Sequence, residues 1–355
     1  MQGITLLPLH YGKAPKWLFE RMKKLGKSIS EIIIEEFGVE GFLERLSDPV
    51  WFQAFACTLG YDWHSSGSTP VTLAALKEAL NEEASSYGIF FAGGKGKAGI
   101  KTPEEIEKGC DTLGISKEEE LKKASRLSAK VDNAMVYDNI NIYCHSFIFS
   151  KKDFVVVQQA MQTQKRVAIR FQWFSKKIKD FINEPHIVSS DFHQKTLDLT
   201  FEKNKEIRES TVILLKEDFQ KIINFRRENF SFLSLPSRHE LKEIDISKKG
   251  MELLKNSQVE SYEDLLLIKG VGRKTIKSLA LIARLIYDKE LYTRDPAVFS
   301  FTVGGKDGIP YKINKKHYDE VIQQMKLIVE NSKIEEKEKF TALKRLLHTN
   351  STNLS

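Results

Sequence analysis

Residues 142–174 read IYCHSFIFSKKDFVVVQQAMQTQKRVAIRFQWF, and this stretch decides the fold. Three runs, 142–149, 154–161 and 167–174, are rich in Phe, Val and Ile. Two short polar links, 150–153 and 162–166, separate them. Apolar β-branched and aromatic runs with such links predict an antiparallel meander. Alternation in the first run puts Tyr143, His145, Phe147 and Phe149 on one face. Residues 89–92 and 197–201 are further strand candidates.

The flanks read as helix. Leu18, Met22, Leu25, Ile29, Ile32 and Ile33 recur at helical spacing through residues 17–37, with Pro15 at the first turn and Gly38 as the stop. Ser47-Asp48-Pro49 opens a second helix to Leu59, and Thr69-Pro70 opens a third to about residue 87. Residues 116–137, 206–225, 314–329 and 335–347 complete the helices. The expected fold class is α+β. A helical N-terminal region (1–137) precedes a small antiparallel sheet with a helix (138–234). A helical C-terminal region (235–355) follows the linker at 235–239.

The 355 residues are 41% hydrophobic and include 22 Phe, enough for folded cores, which excludes a wholly disordered chain. No apolar run approaches the ~20 residues that span a bilayer. The start, MQGITLLPLHYGK, lacks the pattern of a secretory signal. Cys57, Cys110 and Cys144 form no C-x-x-C pair, which argues against a disulfide framework or a thiolate zinc site. A cytoplasmic protein is expected. Net charge is +7, unevenly placed: −3 over residues 1–150, +6 over 151–227 and +5 over 245–355. An anionic partner belongs with the second half.

Within that half, residues 264–283 read DLLLIKGVGRKTIKSLALIA. An apolar helix, a tight glycine turn and a second apolar helix resemble the helix-hairpin-helix DNA-binding motif. Glycines permit the turn and let backbone approach a phosphate. The N–H groups opening the second helix lack intrahelical partners and suit an anion. The expected DNA contacts are Lys269, Gly270, Val271, Gly272, Arg273, Lys274, Thr275 and Lys277, gripping phosphate without reading sequence. The resemblance extends to the helix-hairpin-helix DNA glycosylases, which would give Lys274 and Asp295 catalytic roles. The context of Asp295, Tyr-Thr-Arg-Asp-Pro, departs from that family's Val-Asp-Thr-His.

Other candidates lie outside the hairpin. Gly93-Gly94-Lys95-Gly96-Lys97 offers backbone amides with Lys95 and Lys97 for a phosphate, or a solvated loop. It is no P-loop, so a nucleoside triphosphate is not expected. His10 and Lys13 stand near the start, and His64 lies in a loop with Ser65 and Ser66. Around the sheet, Asp132 and Asp138 just upstream, His145, Gln158, Gln159, Glu184 and His186 form a set suited to general acid–base work. The same set suits a divalent cation, Mg²⁺ or Mn²⁺. The bland alternative is a hydrogen-bonded packing histidine with amides paired across the sheet. The His-x-Lys motif of phospholipase-D-like nucleases fails, because Phe147 stands two residues after His145. A clean Asp…Glu-x-Lys set and an H-E-x-x-H are also missing.

The whole chain resembles an archaeal and bacterial family known as domain of unknown function 763. Residues 3–13, 62–67, 93–97, 155–159 and 304–308 carry the resemblance. Cys144 and Ala160 depart from the His and Gly expected there. The resemblance implies an archaeal source and brings no mechanism. The reading that joins these observations is a DNA-processing enzyme of the repair type, a nuclease hydrolysing phosphodiester bonds. His145 and His64 would exchange protons, while Lys13, Lys95 and Lys97 offset phosphate charge. The alternatives are a glycosylase or lyase and a non-catalytic DNA-binding accessory protein.

Overall fold

A computed structural model describes residues 16–60, 67–137, 139–162, 167–190, 195–228, 244–298, 315–332 and 335–351. Five antiparallel strands form one sheet in the order β1-β2-β3-β4-β5: β1 Phe90–Lys95, β2 Ile140–Phe149, β3 Phe154–Gln162, β4 Val167–Phe174 and β5 Ile187–Ser190. The meander is present as expected, with β1 and β5 added at its edges. Residues 197–201 are not a strand. Asp198 instead folds them into a turn, its Oδ1 accepting from Thr200 N at 2.9 Å and Thr200 Oγ1 at 2.6 Å.

Helices cover both faces. On one side lie α1 (Lys16–Ser47), α2 (Pro49–Leu59) and α3 (Ser68–Leu80). Gly38, at φ +72°, breaks α1 where the stop was expected, and helix resumes beyond it. Asp48 caps α2, accepting from Trp51 N at 2.7 Å, with Pro49 in the first turn where its missing N–H costs nothing. The single-turn helices α4 (Ala84–Tyr87) and α5 (Lys97–Ile100) flank β1.

The opposite side carries α6 (Thr102–Leu113) and α7 (Glu118–Val131), followed by one π-helical turn at Asp132–Val136. After the sheet come α8 (Lys205–Lys216), α9 (Phe219–Glu228), α10 (Lys248–Lys255), α11 (Tyr262–Leu267) and α12 (Arg273–Tyr287). The last two helices, α13 (Lys315–Asn331) and α14 (Glu336–Ser351), pack on α1 and α2.

Strand alternation divides the interior into two cores. Phe147, Phe149, Val156, Phe171 and Trp173 join the α6–α12 core. Cys144, Ile148, Val155, Val157 and Phe174 join the core of α1–α3, α13 and α14. Each core thus draws on widely separated parts of the chain.

Two expectations about facing fail for one reason each. Tyr143 does not share a face with His145, because the β2–β3 register slips between Ile142 and Cys144. That bulge inserts one residue and resets the alternation. Gln158 and Gln159 do not line one pocket, because consecutive strand residues point oppositely. Gln158 meets His145, whereas Gln159 donates to Tyr143 Oη at 2.6 Å.

Candidate functional site

Two polar features stand out, one at the surface and one inside. The surface feature is the turn joining α11 to α12. Ser261 and Asp264 form a capping box that opens α11. After Leu267 the chain reverses, with Val271 N donating to Ile268 O at 3.2 Å. Gly270 has φ +96°, and a Cβ there would lie 2.8 Å from Leu253 of α10. Only glycine suits that position. Gly272 differs: its backbone is extended, and a Cβ would meet nothing within 4 Å. The outer side of Gly272 is therefore open.

The residues of the turn divide into anchors and exposed cations. Val271 and Thr275 are buried, and Lys277 is half-buried. Arg273 points inward, its Nε and Nη2 donating to Asn133 O at 2.9 and 2.7 Å and Nη2 also to Ile140 O. From the other side, Lys130 Nζ of α7 donates to Val271 O at 2.7 Å. Burial lowers the Lys130 pKa. Lys269 and Lys274 are exposed, Lys274 with Asp245 at 3.2 Å. The amides of residues 273–275 open α12 without carbonyls of their own helix to meet.

The interior feature begins on α7. Ser125, Ser128 and Asp132 occupy positions i, i+3 and i+7, so they share one helix face directed at the sheet. Asp132 is fully buried. Its Oδ2 accepts from Trp173 Nε1 at 2.8 Å and from Gln158 Nε2. Its Oδ1 lies 2.6 Å from His186 Nδ1, without hydrogen-bond alignment. Burial pushes the Asp132 carboxyl up, against these donors.

The donors and acceptors fix the rest of the network. Gln158 Nε2 also donates to Ser128 O at 3.2 Å, and a carbonyl can only accept. The amide oxygen of Gln158 therefore faces His145 Nδ1, 2.8 Å away. That contact requires the proton on Nδ1. Burial lowers the His145 pKa, favouring neutral imidazole, so Nε2 keeps a lone pair. Ser125 Oγ, 2.8 Å from Nε2, donates to it. A hydroxyl, an imidazole, an amide and a carboxylate are thus joined in series.

The glycine-rich segment lies beside this network. Gly94 pairs with His145 across β1 and β2. A Cβ at Gly93 would lie 2.2 Å from His145 O, so the two backbones approach as only glycine allows. Gly93–Lys95 belong to β1 and Lys97 to α5, so much of the expected loop is regular structure. Lys95 and Lys97 are exposed, with Lys95 Nζ 5.9 Å from the Tyr143 ring centroid.

The remaining candidates separate. Glu184 is a surface residue paired with Arg294, while the His186 side chain is 2% exposed, beside Phe171 and Trp173. Lys274 and Asp295 have different partners: Asp295 accepts from Ala297 N at 3.1 Å and Tyr137 Oη at 3.4 Å. His10, Lys13, His64 and Asp138 lie outside the described residues, as do residues 304–308 and the linker. Among the described residues, no group of three or more His, Cys, Asp or Glu is placed to hold a metal ion. Asp132 joins the network as a candidate acid, whereas Ser125 and Trp173 belong to it although neither was a candidate. The polar stripe 125/128/132, set among Ala124, Leu127 and Val131, is the signal that could have found Ser125.

Fold and site define an α+β protein with one antiparallel sheet among the described residues, a buried imidazole–amide–carboxylate network and a basic glycine turn. The chain belongs to the family described as Protein of unknown function (DUF763), which matches residues 3–313. No curated protein matches the chain, and no solved structure does.

Proposed function

We propose that the chain is a DNA-binding protein that grips the phosphate backbone with the turn between α11 and α12, and that it processes the bound DNA by phosphodiester hydrolysis. The observation that carries the binding is the division of labour at the turn. Arg273 and Lys130 hold it to the body, while Lys269, Lys274 and the open side of Gly272 face water. A phosphate at that point would meet the helix-opening amides and two lysines. The contact is electrostatic and independent of base sequence.

Fluorescence anisotropy with labelled duplex and single-stranded DNA, titrated over a range of salt, tests the binding. Lys274→Glu combined with Gly272→Ala should weaken affinity for all sequences alike. Lys274→Ala alone should flatten the dependence of log K on log salt by roughly one unit. Unchanged affinity of the double variant at low and high salt would sink the reading. Hydrolysis is scored on end-labelled single-stranded, duplex and flapped DNA, with and without Mg²⁺ or Mn²⁺.

One observation favours a second reading, a non-catalytic DNA-binding accessory protein. His145 is 8% exposed, and both its ring nitrogens have protein partners. Binding without product across the DNA panel is the outcome that selects it.

A further inference from the structure

We infer that Ser125 is a nucleophile, with His145 as its general base, and that its substrate is a phosphoester. This inference rests on the DNA-processing reading and names the residue that would carry it. The geometry is that of an activated hydroxyl. Ser125 Oγ lies 2.8 Å from His145 Nε2, and His145 Nδ1 lies 2.8 Å from Gln158 Oε1. The nucleophile–base–orienting-group order is complete. Gln158 and Asp132 are positioning residues: they fix the imidazole tautomer so that Nε2 can take the hydroxyl proton.

The phosphoester is the substrate of the DNA-processing reading. Gly99 of α5 covers His145, a Cβ there falling 3.7 Å from the His145 Cβ, and α5 opens with the exposed Lys97. Lys95, over the Tyr143 ring, belongs to the other face of the sheet.

Ser125 and His145 are 3% and 8% exposed, and the chain over the His145 backbone contains Gly93, Gly94 and Gly99. Access for a substrate requires this covering to shift. Ser125 Oγ then attacks phosphorus while its proton passes to His145 Nε2. The bond from phosphorus to one sugar oxygen breaks, and that oxygen leaves with the proton from Nε2. A phosphoserine ester to the cut strand remains. Water attacks it next, giving a proton to Nε2, and Ser125 Oγ leaves and recovers that proton.

The test uses the full chain and a fluorophosphonate probe, with the adduct located by tandem mass spectrometry. The expected result is an adduct at Ser125, with labelling at least tenfold slower in His145→Asn that circular dichroism shows to be folded. Labelling should also fall with acid along a single imidazole titration. Ser125 and Gln158, which contact the ring, do not titrate, and the network's titratable groups, Asp132 and His186, reach it through Gln158.

No Ser125 adduct on the native chain overturns the inference, as does labelling indifferent to His145→Asn. Iodoacetamide on Ser125→Cys measures access, and a thiol that never reacts in the folded chain also overturns it. A separate arm looks for a covalent complex with end-labelled DNA on a denaturing gel, absent in Ser125→Ala. Probe labelling without that complex or strand cutting overturns the phosphoester assignment. Because the probe needs no DNA, a failure of the turn to bind DNA is read separately from a failure of Ser125.

Discussion

The buried network and the α11–α12 turn both concentrate polar groups, yet they are built on opposite terms. Around Asp132, water is excluded, and Trp173, Gln158 and His186 supply what solvation would have. At the turn, Lys269 and Lys274 keep their water. Buried polar groups contribute through their partners and are costly when one partner goes. Exposed charges contribute little to stability and remain free to meet a ligand. The two features touch through one element. Lys130 and Asn133 grip the turn, and Ser125, Ser128 and Asp132, on the same stretch of chain, grip the network.

The contrast is sharpest at Asp132. Asp132→Ala leaves an indole N–H and an amide N–H buried without an acceptor and removes the partner of His186. The expected loss is about 3–5 kcal/mol in chemical denaturation, the range for breaking a buried polar pair. A loss below ~1 kcal/mol would mean that water already reaches the network.

Arg273 sits between the two regimes. Its guanidinium is charged, but its acceptors include the backbone carbonyls of Asn133 and Ile140 and the Asn133 side-chain oxygen. Arg273→Ala should cost about 1.5–3 kcal/mol, the range for hydrogen bonds to charged groups. Arg273→Lys should restore only part, because a single ammonium cannot reproduce the planar fork. Hydrogen exchange would register the loss as faster exchange in α11 and α12. Equal stability of the Lys and native chains would make the contact a matter of charge alone.

The turn was legible because its information is local. Residues 264–283 contain the helices, both glycines and the cations, and the structure folds them into two helices across a tight turn. The meander was legible for the same reason. What the sequence hid was non-local or depended on a single inserted residue. Nothing near Asp132 in sequence announces Trp173 or His186 as its neighbours. The bulge at Tyr143 is silent in the alternation of 142–149. Arg273 was assigned to DNA with the other cations, and only the position of Asn133 and Ile140 shows that it anchors the turn.

The network should also respond to acid. Burial holds the His145 pKa below its ordinary value of 6.5. Below pH 6.5 the unfolded chain binds a proton that the native imidazole refuses. Stability therefore falls as pH drops from about 6.5 toward the native value, by up to about 1.4 kcal/mol per pH unit. Asp132 acts with the opposite sign, because its raised carboxyl stabilises most below its ordinary 3.8 and loses that contribution as pH rises. The His145 share is read as the difference between the native chain and His145→Asn, measured by urea denaturation between pH 5 and 7. Parallel curves for the two would place the proton elsewhere.

The smallest effect on stability belongs to Gly272, and it isolates the turn's ligand-facing side. A methyl group there meets nothing within 4 Å, and its φ of −131° is open to any residue. Replacing glycine by alanine at a helix N-cap costs about 1 kcal/mol or less, so melting should move little. The methyl would nevertheless stand where a phosphate must approach the amides of residues 273–275. DNA affinity should therefore fall while melting stays nearly level. At Gly270 the two effects cannot be separated, since φ +96° and Leu253 penalise any side chain before a ligand arrives. Native affinity in Gly272→Ala would shift phosphate contact from the backbone of the turn to its lysines alone.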